Sequence, residues 1–130
     1  MKSLLKITAL FEGATGLALV LVPSLFVSIL LGNSITEASA ILICRLTGAA
    51  LITIAIACWL SRSDFQSTVM VKAMVGYNIF SITILVYAVL VEKIYGPGLW
   101  PAVLIHIVLL IWCVLSLRKP VQENSVQGTI

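Results

Sequence analysis

The chain has 130 residues, of which 61% are hydrophobic and 10% charged, and its formal net charge is +3. Soluble domains carry roughly 25% charged residues, so this is the composition of a membrane protein, and the length allows one domain. Long uncharged runs leave no room for a separate polar domain, so any site lies in or beside the bilayer.

The first apolar run extends from about residue 5 to 31 and is interrupted by Glu12 and Pro23. A bilayer core requires about 20 apolar residues per helix, so this run predicts a span bent near Pro23, where a missing N–H disrupts helical bonding. The alternative is that Pro23 ends the span and "SLFVSILLG", Ser24 to Gly32, forms a short helix at the outer interface. The basic start, with Lys2 and Lys6, also resembles a signal peptide, with "ASA" at Ala38 to Ala40 as a small-residue cleavage site. The length of the run and the presence of Glu12 weigh against that reading, and the expectation is no cleaved signal.

The second span covers about residues 38–60 and contains Arg45. A third covers 69–91, with Lys72 near its start, and a fourth covers 99–117, with His106 as its polar residue. The breaks "GNSITEAS", "SRSDFQST" and "EKIYGPG" carry turn and cap residues. Short connections imply antiparallel neighbours, so the expected fold is all-α: an integral membrane four-helix antiparallel bundle within residues 1–119. The polar tail, 120–130, is expected to be disordered.

Orientation follows from the basic residues near span ends. Lys2, Lys6, Arg62, Lys72, Arg118 and Lys119 fall on one side, and Lys93 on the other. This bias places both termini in the cytoplasm of a cell with an inner membrane. Trp59 and Trp112 then lie toward the cytoplasmic boundary, with Tyr95 and Trp100 toward the outer one.

Ionisable groups inside a bilayer are costly and commonly mark function. At 1.5 Å of rise per residue, Glu12 lies about 12 Å from the cytoplasmic edge, with Tyr77 and Asn78 at a similar level. Arg45 and His106 lie about 10 Å below the outer edge. Helical spacing puts Thr8, Glu12, Thr15 and Gly16 on one face, Arg45, Gly48, Ala49 and Thr53 on another, and Ala73, Tyr77, Asn78 and Ser81 on a third. Around His106 lie Val103, Leu109, Leu110 and Cys113. These faces are expected to turn inward, with Glu12 and Arg45 forming an ionised pair, directly or through Tyr77, Asn78 or a water.

The candidate ligand-binding residues are therefore Glu12, Arg45, Tyr77, Asn78 and His106. The competing reading is a polar clasp that fixes helix register and does nothing else. No catalytic set is identified, since the chain lacks a Gly-rich phosphate loop, an HExxH motif and a hydrolase-like Ser-His-Asp order. Cys44, Cys58 and Cys113 sit in apolar runs without metal or redox spacing and read as packing residues. No cofactor is expected, and no basic patch suits nucleic acid.

Four stretches in combination, "ITALFEGATGLALVLVPSLFVSILLG", "CRLTGAALITIAIACWLSRSD", "KAMVGYNIFSITILVYA" and "GLWPAVLIHIVLLIW", resemble a group of small uncharacterised four-span bacterial inner-membrane proteins, loosely similar to the DoxX-like superfamily. The resemblance covers about Leu4 to Leu117 and rests on Glu12, Gly16, Pro23, Arg45, Gly48, Tyr77, Asn78 and His106. It implies fold and location, and no reaction. Small multidrug resistance transporters are also similar in having four short spans and a first-span glutamate that binds protons and cationic drugs. Arg45 and the one-sided basic residues depart from that pattern.

The sequence thus leads to a membrane protein with an intramembrane polar site. The first expectation is that it binds a small lipophilic ligand or serves as an accessory to a membrane-protein partner, alone or as a homo-oligomer. The alternatives are a proton-coupled transporter using Glu12 and a small intramembrane enzyme using Glu12 and His106.

Overall fold

The computed structural model describes residues 1–63 and 66–118; the tail expected to be disordered lies outside them. The described residues form an all-helical bundle: α1 (Lys2–Leu21), α2 (Pro23–Leu31), α3 (Ala38–Ser61), α4 (Ser67–Leu90) and α5 (Leu99–Arg118). Apart from α2, each helix is long and apolar enough to cross a membrane. The 20 residues of α1 rise about 30 Å, matching a bilayer core, while the nine of α2 rise only about 14 Å. The protein is therefore a multi-pass, four-span bundle with one additional short helix.

The first apolar run is broken rather than bent. Val22 leaves helical geometry at φ −133°, ψ 54°, as a residue before proline tends to do. Pro23 then takes the first turn of α2, where its missing N–H has no intrahelical partner to lose. The first span therefore ends at Leu21, ten residues short of the Leu31 expected from hydropathy, and the short-helix alternative describes the structure. Gly32 closes α2 at φ 82°, a left-handed conformation that glycine adopts at no steric cost.

α2 does not continue along the bundle. Its Ile29 carbonyl accepts a 2.9 Å hydrogen bond from the Gly98 N–H in the α4–α5 connection. Gly96 passes so close to the Leu30 carbonyl that a Cβ would not fit. Ser24 Oγ also donates to the Ile35 carbonyl at 2.8 Å. These contacts tie α2 at both ends across the end of the bundle opposite Met1 and Arg118.

Within the bundle, α1 packs most closely on α3 and α4 on α5, with fewer contacts between the two pairs. The α1–α3 seam closes at Gly16 and Gly48, whose backbones touch. Small residues permit such an approach, and in lipid it is packing rather than water exclusion that holds helices together. At the end bearing the N-terminus, Leu4, Leu5, Ala9, Cys58, Val71, Met74, Leu109 and Cys113 fill the space between the pairs. Cys58 and Cys113 are thus packing residues, as their apolar settings predict.

Candidate functional site

Above that apolar plug lies a layer of polar side chains from α1, α4 and α5. Glu12 on α1 is 1% exposed and Asn78 on α4 fully buried. Their burial follows from helical spacing: Thr8, Glu12 and Gly16 form a stripe at i, i+4, i+8, and all three are buried. Tyr77 Oη donates a 2.9 Å hydrogen bond to Glu12 Oε2, so the two residues share one depth, as the rise along their helices predicts. The other carboxyl oxygen, Oε1, is buried and has no hydrogen-bond partner in the protein, and the same holds for Thr8 Oγ1 one turn away.

A second link joins α4 to α5. Asn78 Nδ2 donates to the Met74 carbonyl at 2.7 Å, which leaves Oδ1 directed at His106 Nδ1, 2.9 Å away. An amide oxygen only accepts, so Nδ1 must carry the hydrogen. In the neutral ring the lone pair is then on Nε2. Phe11 and Tyr77 hold the imidazole edge-on, with ring centroids 6.2 Å and 5.8 Å away, a favourable arrangement for aromatic pairs.

Four of the five residues singled out by sequence thus converge: Glu12 with Tyr77, and Asn78 with His106. Arg45 does not join them. It is exposed on α3 beside Leu42 and Leu46, both also exposed. Glu12 has Tyr77 as its partner at Oε2 and none at Oε1, so the expected Glu12–Arg45 pair is not formed. The inward face of α3 instead carries Gly48, Leu51, Ala55 and Cys58. Arg45 is three residues from Gly48 but falls outside that stripe, and the expected Ala49 and Thr53 are exposed with it. On α4, Ala73 is likewise exposed, and Val71, Met74 and Asn78 face inward.

Between the polar layer and α2 is a cavity of about 390 Å³. Glu12, Tyr77 and His106 contribute to its lining, with Thr15 and Ser81 one turn farther along α1 and α4. Its walls are apolar, built from Phe11, Leu19, Leu51 and Leu85, and α2 contributes Phe26 and Leu30. Thr47 on α3 and Ile84 on α4 line it as well and are exposed. The mouth therefore faces sideways, along the seam between α3 and α4. Sequence reading expected a polar pocket between helices, and missed its largely apolar walls and the roles of Phe26, Leu30, Cys44 and Thr47 in it. The break at Val22–Pro23 was the one available signal that α2 could fold back over the bundle.

The volume is in the range of small-molecule pockets, and a mostly apolar wall with a few convergent polar groups is their usual construction. Among the described residues no three His, Cys, Asp or Glu side chains gather as a metal site. No curated protein and no solved structure matches the chain. Residues 6–129 match the family described as Domain of unknown function (DUF8292), and over nearly its whole length this chain belongs to that family.

Proposed function

We propose that the protein binds a small lipophilic ligand in the chamber between its helix pairs, in the inner membrane, with both termini cytoplasmic. The observation that carries this reading is the 390 Å³ chamber with apolar walls and Glu12, Tyr77 and His106 at one end. A clasp that only fixed register would satisfy its polar atoms internally, whereas Glu12 Oε1 is left without a protein partner. The sideways mouth suits a molecule that partitions into lipid first and enters between α3 and α4. The orientation is supported by the clustering of Lys2, Lys6, Arg62, Lys72 and Arg118 toward one end.

The test is extraction and mass spectrometry of small molecules that copurify with the protein. A species enriched over bulk lipid, and lost when the chamber is filled by Leu51→Trp, is the expected outcome. Equal lipid profiles for both proteins reject the reading.

One observation supports a second reading. Glu12 has no cationic partner, which is the arrangement a proton-coupled transporter would use. Uptake driven by a proton gradient in vesicles and abolished by Glu12→Gln is its expected signature.

A further inference from the structure

The ligand's head group is constrained by two residues. Because Asn78 is anchored to the Met74 carbonyl, its oxygen holds the hydrogen on His106 Nδ1. Nε2 of the neutral ring therefore offers a lone pair that a donor can engage. The Glu12 carboxyl is the other group: its Oε1 is buried without a protein partner, and the carboxyl accepts if ionised and donates if it carries the proton. Both residues line the same end of the chamber.

A carbonyl offers only acceptors and leaves Nε2 unmatched. An ammonium offers only donors and matches Glu12 in one protonation state. A hydroxyl donates one hydrogen bond and accepts others, so it satisfies His106 and can engage Glu12 in either state. We propose that the chamber takes a lipophile bearing a hydroxyl group, an alcohol or a phenol, with the hydroxyl donating to His106 Nε2 beside the Glu12 carboxyl. Its hydrocarbon portion lies against Leu19, Leu51 and Phe26. This assignment rests on the ligand-binding reading above and specifies the chemical class that reading leaves open.

Cys44 provides the readout. It lines the chamber, while Cys58 and Cys113 are 0% and 1% exposed in the apolar core. The full-length protein in detergent is treated with N-ethylmaleimide, and labelling at each cysteine is followed by peptide mass spectrometry. 4-Hexylphenol is compared with 4-hexylanisole, which has its hydroxyl methylated, and 1-nonanol with its methyl ether. Each hydroxyl compound is expected to protect Cys44 at roughly tenfold lower concentration than its ether, the scale of one hydrogen bond. The phenol and alcohol arms distinguish the two sources of the group.

Equal protection by hydroxyl compound and ether in both pairs overturns the hydroxyl assignment and leaves ligand binding standing. Protection by none of the four overturns both. Stronger protection by nonylamine than by either hydroxyl compound also overturns the assignment, since recognition would then centre on Glu12 alone. In His106→Phe the preference for the hydroxyl is expected to vanish. Continued resistance of Cys58 and Cys113 to labelling reports that this variant is folded, and a preference that survives in it rejects His106 as the acceptor.

Discussion

Gly16 and Gly48 each occupy the space that the other's side chain would need. A Cβ built on either glycine lies 2.6 Å from the backbone oxygen of the other, and one on Gly48 also meets Leu19 and Val20 at 2.9 Å. Gly16→Ala and Gly48→Ala are expected to destabilise the bundle by about 1–3 kcal/mol, the usual range for overpacking. Gly76, with nothing within 4 Å of its Cβ position, is the control. Its change to Ala should be neutral or stabilising by up to about 1 kcal/mol, from helix propensity. Unfolding in mixed detergent micelles measures all three.

The Tyr77–Glu12 hydrogen bond makes a different prediction. Tyr77→Phe removes the donor and leaves a second buried carboxyl oxygen unmatched, at an expected cost of about 1–3 kcal/mol. Glu12→Gln retains an acceptor for Tyr77 and should cost less. Replacing both partners, Tyr77→Phe with Glu12→Leu, removes the mismatch and should recover much of the loss. A double-mutant cycle by the same unfolding assay tests this.

Arg45 is expected to be nearly silent in that assay. It is exposed and makes no bond to Glu12, so Arg45→Ala should change stability by no more than about 0.5 kcal/mol. Its effect should add to that of Glu12→Gln, as for residues without shared partners. A strong non-additive coupling would show that the two charges do meet.

The three cysteines should differ in reactivity without added ligand. A membrane-permeant maleimide is expected to modify Cys44 and to spare Cys58 and Cys113, which lie in the apolar plug. Comparable labelling of all three would mean that the plug opens readily.

Reporter fusions after Ile35, Gln66, Tyr95 and Ser125 address the orientation. Cytoplasmic signal after Gln66 and Ser125, with periplasmic signal after Ile35 and Tyr95, is expected. The reverse pattern overturns the proposed topology.

Four spans were legible because long apolar runs leave few alternatives in a chain this short. The faces of α1 and α5 were legible too: Thr8, Glu12 and Gly16, and likewise Val103, His106, Leu109 and Cys113, are each set at spacings of three and four and are buried. Arg45 was misplaced for a physical reason. The lipid-facing side of α3 is as apolar as its interior side, so hydropathy gives its rotation no reference. Charge alone suggested an inward face, and helix packing through Gly48 turned Arg45 away. The chamber depends on contacts between segments far apart in sequence. Gly96 and Gly98 read correctly as turn residues, but nothing local reveals that Leu30 and Ile29 rest against them.

The hydrogen bond from Gly98 to Ile29 sets an order of events during synthesis. Ile29 leaves the ribosome well before Gly98, and at about 5–20 residues per second the interval is on the order of several seconds. During it α1 and α3 can already close on Gly16 and Gly48, but α2 has nothing to anchor its far end. The roof of the chamber is therefore a late-forming part, completed only when the connection between the last two helices has been made. A nascent chain stalled before that point would leave Phe26 and Leu30 unpacked and would lack the α2 wall of the chamber.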